Sequence, residues 1–500
     1  MIPSMLRLVP SALLMFPLVV PAYAQVHYHE NGQPWKRQAQ RGPDAEVPGW
    51  LYNLGVTGIR VRLDEEQPTH LVVGHVFERT PAEGKVLFGD HIVGAQGKRF
   101  DTPHRNGYGM DVFGPDGPIA DFAAALEDAI DSRDRELDLL LEREGKRVKV
   151  ELQLPSRMES YESSFPFDCE RTEEVRERLW EYLAEQQRDN GSWGNPIHDT
   201  FAPLALLSSG RREYLDEVER SVRYHAGNTS TEDGSSLVNW KYMAAAIVMS
   251  EWYLQTKERW VLVELQEVCD FLCTTQYLDM SQINPKVRES HPHAYPKGPE
   301  EKHGGWGHNP GFEGYGPIAM ITAQGALAFA LMERCGIEVD EDRHLAAYAY
   351  LARGSGRNGY LWYADSVAGD QNWADMGRTG ASAIANWLGP GRQQRELARL
   401  QASVMAEHPE SFPDTHASPL MGMAYGALGT SIDRRAFQQL MAANRWWFLL
   451  AECPDGTFAY QPNRDNSGYG ADARLLSTTV TAFILSIPLE GLVMTGKKMR

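Results

Sequence analysis

The sequence is poor in cysteine, in basic charge and in long apolar runs, and each shortage excludes a class of protein. Five cysteines among 500 residues are too few and too scattered for a disulfide framework. Lys and Arg number 49 against 67 Asp and Glu, a formal net charge of −18, which argues against a nucleic-acid binder. No apolar run after Ala24 reaches the roughly 18 residues that are needed to span a bilayer.

Several catalytic signatures of fixed spacing are also missing. The chain contains no G-x-S-x-G, S-x-x-K or H-E-x-x-H motif, and no glycine-rich phosphate loop opens a predicted helix. Activated serine nucleophiles, zinc-protease helices and nucleotide use are therefore not expected.

The first 24 residues have the form of a secretory signal peptide. Arg7 is the only early charge, the apolar stretch 8–20 is broken by prolines, and Ala22-Tyr23-Ala24 fits the rule for signal cleavage. We therefore expect residues 1–24 to be removed and the protein to be exported to the periplasm or beyond the cell. An uncleaved membrane anchor is the alternative. Residues 25–48 are polar and are predicted to form a linker.

Residues 49–155 alternate short β-type runs with one helical pattern and predict a small β-rich domain. The stretch 76–98 contains T-P-A-E followed by L-F-G-D-H-I-V-G-A-Q-G-K, and it resembles the core of PDZ domains in exported bacterial proteins. The resemblance implies that a loop before the first core strand binds the C-terminal peptide of another exported protein through backbone N–H groups. Here that loop is Leu54, Gly55, Val56, Thr57 and Gly58. The alternative is a module that packs on its neighbour and binds no peptide.

From residue 165 to 500 the chain reads as helices of two alternating kinds. Amphipathic, charged helices are predicted at 172–189, 212–226, 258–277, 340–354, 391–407 and 432–451. Apolar helices rich in small residues are predicted at 196–210, 238–256, 317–335, 376–388, 417–429 and 474–495. Outer helices alternating with buried inner ones predict an all-α (α/α)6 toroid, and a solenoid of helical hairpins is the alternative.

One repeated motif supports the toroid. Gln187 to Trp193 matches the pattern Q-x3-G-x-W, with weaker echoes at 304–307 and 455–458. The match resembles terpenoid-cyclase and prenyltransferase toroids, in which the motif ties helix ends together. The cyclase acid motifs D-x-D-D and D-D-x-x-D are absent, which argues against cyclase chemistry. The combined layout, with the Gly-Trp-Gly-His loop and the stretch 414–419, resembles an uncharacterised family of exported bacterial proteins and implies architecture without an activity.

The loops that enter the inner helices are long and aromatic, so one mouth of the ring is expected to carry the function. His303, His308, Asp414 and His416 lie in these loops and could hold a divalent metal such as zinc. The pair Asp414 and His416 resembles the Asp-x-Cys zinc ligands of prenyltransferases, with His in place of Cys. The alternative is that these histidines only make hydrogen bonds or stack on Trp306.

Acid–base chemistry is the other possibility at this mouth. The candidate catalytic residues are Glu313, Tyr315, Asp375, Asp414 and His416, and the candidate aromatic platforms for a sugar are Trp193, Trp240, Trp306, Trp373 and Tyr460. Tyr315 paired with His416 or His308 could perform a β-elimination on a uronic acid. Helix capping is the alternative role for each carboxylate.

Three functions follow from these candidates. The first is a carbohydrate-active hydrolase or lyase acting in the mouth. The second is a non-catalytic scaffold that binds peptides and ligands, and the third is a metal-dependent enzyme similar to prenyltransferases.

Overall fold

The computed structural model describes residues 51–64, 66–104, 116–156, 158–194, 198–229, 236–369, 372–413, 415, 419–461 and 474–498. The predicted signal peptide and linker lie outside these residues. So do two of the predicted site residues, Asp414 and His416.

The first part of the described chain, residues 51–154, folds as a sheet with one helix and is called the sheet domain below. Its elements are β1 (Tyr52–Asn53), β2 (Ile59–Leu63), β3 (Leu71–Val76), β4 (His91–Ala95), β5 (Lys98–Arg99), α1 (Pro118–Asp131), β6 (Glu136–Arg143) and β7 (Lys146–Gln153). The strands pair in the order β1-β2-β3-β4-β6-β7, with β5 on β4, and every pairing is antiparallel.

Side-chain periodicity explains how this domain forms its core. Alternate residues of β6, Leu137, Leu139 and Leu141, are buried on one face of the sheet, as the period of two in a strand requires. Phe122, Leu126 and Ile130 recur every four residues along α1 and are buried in the same cluster. The predicted small β-rich domain is therefore present.

The rest of the described chain is helical. Its helices are α2 (Glu170–Gln186), α3 (Phe201–Ser208), α4 (Leu215–Gly227), α5 (Val238–Thr256), α6 (Val261–Thr275), α7 (Val287–Ser290), α8 (Ala319–Cys335), α9 (Glu341–Gly354), α10 (Gly377–Leu388), α11 (Arg392–Glu407), α12 (Pro419–Thr430), α13 (Arg434–Ala443), α14 (Arg445–Ala451) and α15 (Arg474–Ser486).

Six of these helices form a closed inner ring. Contacts run from α3 to α5, α8, α10, α12 and α15, and α15 returns to α3. The inner helices are buried nearly all round, whereas outer helices such as α4 bury one stripe and expose the other side. This closure confirms the α/α toroid and excludes an open solenoid.

Most predicted helix ends are shifted by a few residues, and two helices near the C-terminus differ in a more informative way. The predicted helix 432–451 is two helices, α13 and α14, which meet at Asn444. The Asn444 side-chain amide donates to the carbonyls of Leu440 and Pro409, so it satisfies a carbonyl at the end of α13 and joins that end to the turn at 409–411. The predicted helix 474–495 ends at Ser486, and a short turn containing Pro488 follows it.

The two domains pack against each other through buried polar contacts. The Gln461 side chain accepts from the backbone N–H of Asn53 and donates to its carbonyl, both at 3.0 Å. The Asn53 side-chain amide in turn donates to the carbonyls of Leu450 (2.7 Å) and Glu452 (3.0 Å). The sheet domain is therefore fixed to the segment that runs from α14 towards the last inner helix.

This packing alters the interpretation of the predicted peptide-binding loop. Its residues Leu54, Gly55, Val56, Thr57 and Gly58 are all buried. A Cβ added to Gly55 would lie 2.9 Å from the carbonyl oxygen of Leu449, and β1 occupies the edge of β2 at Arg60 and Val61. Because the toroid covers the loop and β1 pairs with Arg60 and Val61 of β2, the loop and this part of the strand edge are not free to receive a peptide in this structure.

Candidate functional site

The turns that lead into four inner helices share one construction. Each has a glycine with φ between +84° and +89°, and the residue two positions later donates its backbone N–H to a side chain near the start of the next inner helix. The glycines are Gly191, Gly304, Gly359 and Gly456, and the bonds join Trp193 to Asp199, Trp306 to Thr322, Leu361 to Thr379 and Phe458 to Thr478. The repeated motif is therefore structural, as the resemblance implied.

Three of the predicted aromatic platforms belong to this framework and not to an open surface. The Trp193 and Trp306 indoles are buried and donate to the helix carbonyls of Leu183 and Leu272. Tyr460 is buried as well. A sugar stacks only on an accessible ring face, so the prediction that Trp193, Trp306 and Tyr460 contact substrate is not supported by their positions.

A histidine and a tyrosine of the long loop between α7 and α8 form the centre of the candidate site. His308 Nε2 lies 2.7 Å from the phenol oxygen of Tyr315, and the Tyr315 side chain is 36% exposed. His308 Nδ1 accepts a hydrogen bond from the Trp240 indole at 2.8 Å, and the two rings stack with an interplanar angle of 25°. Trp240, a predicted platform, therefore orients His308.

The indole bond determines which nitrogen of His308 carries the proton. An indole N–H only donates, so Nδ1 must accept and the neutral ring keeps its hydrogen on Nε2. Burial lowers the pKa of His308, which favours this neutral form at physiological pH. His308 thus donates through Nε2 to the Tyr315 oxygen and stabilises negative charge there.

The start of α5 holds this loop in place. The Asn239 side chain donates to the carbonyl of Gly307 at 2.9 Å, and its backbone N–H donates to the carbonyl of His308. The Asn309 side chain accepts from the backbone of Leu237. Because these bonds join the loop to a buried helix end, His308 and Tyr315 are positioned on a rigid support.

The pair extends to a second tyrosine that the sequence analysis did not select. Tyr363 lies beside Tyr315, with ring centroids 6.1 Å apart. Burial, followed by the neighbouring Tyr315, raises the pKa of Tyr363 well above its usual value, so its phenol stays protonated. The Arg378 guanidinium lies 5.9 Å from the centre of the Tyr363 ring and pairs with Asp375.

A lysine lies next to the same loop. The Lys302 ammonium donates to the backbone carbonyl of Tyr315 at 2.5 Å, and burial lowers its pKa. Lys302 and Arg378 together supply positive charge beside the two tyrosines. In the sequence, Tyr363 and Arg378 are indicated only by the aromatic character of the loop before α10. That character does not distinguish them from the other residues of the loop.

The predicted catalytic carboxylates have different environments. Glu313 is exposed, with Oε1 accepting from the Asn284 side chain at 3.4 Å. Asp375 has a positive φ of 54° and forms an ion pair with Arg378, so it is held by that cation. The Trp373 side chain is 42% exposed and stacks on His408, which leaves part of the ring accessible.

The predicted metal ligands do not converge within the described part of the chain. His303 accepts through its backbone carbonyl from Arg353, and His308 is engaged by Trp240 and Tyr315 on its two ring nitrogens. Among the described residues, no group of three or more His, Cys, Asp or Glu side chains is placed to hold a metal ion. Asp414 and His416 lie outside those residues.

The fold and this mouth define the protein as an α/α toroid preceded by a small antiparallel sheet domain. Residues 172–496 match the DUF6288 family, which is described as a domain of unknown function. The chain belongs to this family.

Solved structures give distant similarities only. They include a GH76 α-mannanase of Bacteroides thetaiotaomicron, with 11% identity, 65% of this chain and 97% of that chain covered, and a TM-score of 0.46. Another is a polysaccharide lyase, with 12% identity, 64% of this chain and 97% of that chain covered, and a TM-score of 0.42. A third is the type II terpene cyclase MstE of Scytonema, with 12% identity, 64% of this chain and 98% of that chain covered, and a TM-score of 0.40. At these scores no function is transferred to this chain. A comparison with curated proteins found no match.

Proposed function

We propose that the mouth of the toroid degrades a uronic-acid polysaccharide by β-elimination. The observation that carries the proposal is the hydrogen bond between His308 Nε2 and the Tyr315 oxygen, 2.7 Å long, on an exposed side chain. Of the hydrolase and lyase alternatives, this pairing favours the lyase, because a tyrosine oxygen held by a histidine donor is suited to proton abstraction, whereas Asp375 is held in an ion pair with Arg378.

The two tyrosines divide the acid and base roles. Tyr315 acts as the phenolate, having given its own proton to solvent, and its oxygen, stabilised by the Nε2–H donor of His308, takes the proton from C5 of the uronate. The C4–O bond then breaks, the C4=C5 double bond forms, and the leaving oxygen receives the proton of Tyr363. In enzymes that use one acid and one base, the two groups usually lie in environments that shift their pKa values apart.

The positive charges support a carboxylated substrate. Abstraction of the C5 proton places negative charge on the sugar carboxylate, which a nearby cation stabilises. Lys302 lies beside Tyr315 and is suited to this role, whereas the Arg378 charge is buried and already paired with Asp375. The exposed rings of Tyr315, Tyr363 and Trp373 offer surfaces for the apolar faces of sugars.

The test is the rate at which the unsaturated uronate forms, followed by its ultraviolet absorbance, on a panel of uronic-acid polysaccharides. Tyr315→Phe removes the proposed base and should lower kcat by about 100-fold or more, the usual contribution of acid–base catalysis. His308→Ala should lower it by a similar factor. Tyr224→Phe, on the outer helix α4, is the matched control and should leave the rate unchanged.

Two results would contradict the proposal. One is a Tyr315→Phe variant that keeps the wild-type rate of elimination. The other is the release of reducing ends from neutral polysaccharides without any unsaturated product, which would assign the mouth to hydrolysis.

Export and the PDZ resemblance stay proposals. We infer secretion through a signal peptide that ends at Ala24, supported by the cleavage pattern in the sequence. Mass spectrometry of the protein expressed with its leader should find Gln25 at the N-terminus, and a retained leader would contradict cleavage. No helix of the described residues is long and apolar enough to cross a membrane.

A further inference from the structure

The sheet of the sheet domain ends in a long strand with an open edge. β7 is the last strand in the pairing order and pairs with β6 along its whole length, from Lys146 to Gln153. Within the described residues, no other strand pairs with it. An open edge presents backbone N–H and C=O groups that can pair with another strand.

The hydrogen bonds of β6 show which backbone groups of β7 point outwards. The N–H and the carbonyl of Asp138 in β6 both bond to Gln96, on the side away from β7. Its cross-strand partner Glu151 therefore directs its own N–H and carbonyl away from β6, and so does Lys149, two residues earlier. The Glu151 carbonyl accepts from the Lys85 side chain at 2.8 Å, as an outward group can.

The charges on β7 favour a cation at its open edge. Glu151 lies directly opposite Asp138, so two carboxylates share one face of the sheet at a spacing at which like charges are destabilising. Lys149 lies on the same face and is exposed, as Glu151 is. A lysine placed on the open side of Glu151 would therefore relieve the repulsion from Asp138.

A second copy of β7, running antiparallel, supplies that lysine in one register. When Val150 lies opposite its own copy, Lys149 of each chain lies opposite Glu151 of the other, and the pair occurs twice. Both residues direct their backbone groups outwards, so each such pair is also hydrogen-bonded. A shift of two residues, which would keep the outward groups paired, sets Lys149 against Lys149 or Glu151 against Glu151.

The opposite face of β7 fits the same register. Val148 and Val150 are half-buried and pack at the rim of the sheet-domain core. In this register Val150 meets its own copy and Val148 lies opposite Leu152, so the partner strand would cover apolar surface that is now partly exposed.

We propose that β7 is a dimerisation edge, which pairs with β7 of a second copy and joins the two sheet domains into one continuous sheet. The Lys85 bond to the Glu151 carbonyl has to open when the strands pair, and such an exposed bond is exchanged at small net cost. This surface is independent of the function proposed for the mouth.

The test is sedimentation velocity of the purified full-length protein over a series of concentrations. A single strand pair is a small interface, so we expect a dimer that forms in the micromolar range. Lys149→Glu and Glu151→Lys should each weaken it by about 10-fold or more, because each change turns two attractive pairs into repulsive ones. The double variant with both changes restores the opposite charges and should dimerise like the wild type.

The matched control is Lys146→Glu, which changes the charge of the same strand by the same amount. Its side chain lies on the other face of β7, so this variant should dimerise like the wild type. Lys149→Pro removes an outward N–H without breaking the ladder to β6, which an edge strand tolerates, and it should abolish the dimer. Circular dichroism verifies that each variant is folded.

Hydrogen exchange identifies the surface that is used. The backbone N–H groups of Lys149 and Glu151 should exchange more slowly at concentrations at which the dimer forms. The proposal is overturned if the wild type stays monomeric throughout the series, or if the Lys149→Pro protein dimerises as tightly as the wild type. A double variant that dimerises no better than Lys149→Glu alone would also overturn it.

Discussion

The strongest structural prediction concerns Asn53, which joins the sheet domain to the toroid. Its side chain is fully buried, donates to the carbonyls of Leu450 and Glu452, and accepts from Arg60 Nε at 2.9 Å. Asn53→Ala removes all three bonds at once. Each neutral hydrogen bond contributes about 1 kcal/mol and the bond to the guanidinium about 2 kcal/mol, so the free energy of unfolding should fall by about 4 kcal/mol.

Urea denaturation, followed by both far-ultraviolet circular dichroism and tryptophan fluorescence, measures this loss. We expect the wild type to unfold with coincident transitions and Asn53→Ala to show the sheet domain melting separately, because the interface no longer couples the two cores. Asn53→Asp keeps an acceptor for Arg60 but sets a carboxylate oxygen against two carbonyls, so it should be destabilising as well.

The matched control is Asn228→Ala. Asn228 also donates from its side chain to a backbone carbonyl, that of Tyr224, but at an exposed helix end, and its loss should cost less than about 1 kcal/mol. An Asn53→Ala protein within 1 kcal/mol of the wild type would refute the argument that buried hydrogen bonds hold the domains together. Coincident transitions in that variant would refute the proposed coupling.

The remaining predictions concern the toroid. Trp306→Ala should lower the free energy of unfolding by about 3–5 kcal/mol, because the ring is fully buried. Trp373→Ala should lower it by less than about 1 kcal/mol. Chemical denaturation measures both losses, and equal losses would contradict the assignment of Trp306 to the core. Burial raises the pKa of Glu251 to about 7, above the value of about 4.3 for an unfolded chain. The folded state therefore binds the extra proton, and this contribution to stability is full below about pH 4.3 and lost as the pH rises through about 7. Unfolding free energies measured between these pH values should fall with pH in the wild type and stay flatter in Glu251→Gln, and an unchanged slope in the variant would assign the effect to another group.

Sequence patterns predicted the toroid well because its two kinds of helix have different compositions. A helix such as α5, apolar on every side, has to be buried, and a helix such as α4, with one apolar stripe, has to lie outside it. The break between α13 and α14 was missed because Asn444 acts through tertiary hydrogen bonds to Pro409. Periodicity within one segment does not report such contacts.

The candidate site was predictable only in part. The aromatic, glycine-rich loop indicated where His308 and Tyr315 would lie, and residue type suggested a Tyr–His pair. The burial of each tryptophan could not be predicted from residue type. Trp306 and Trp373 both lie in polar, glycine-containing loops, yet Trp306 is in the core and Trp373 is exposed. The contact between Tyr315 and Tyr363 joins the loops that enter α8 and α10. It therefore depends on how the helices pack around the toroid, which the sequence of one segment does not show.

The covered loop at Gly55 changes what the sheet domain is expected to do. Its interface partners, Leu450, Glu452 and Gln461, lie in the stretch that leads from α14 towards α15. On the far side of that connection, the Arg474 guanidinium at the start of α15 lies 5.9 Å from the Phe77 ring of the sheet domain. The sheet domain therefore contacts both ends of one connection into the inner ring. A domain held in this way fixes the two described ends of that connection, and capture of a peptide by the Gly55 loop would first require the two domains to separate at Asn53.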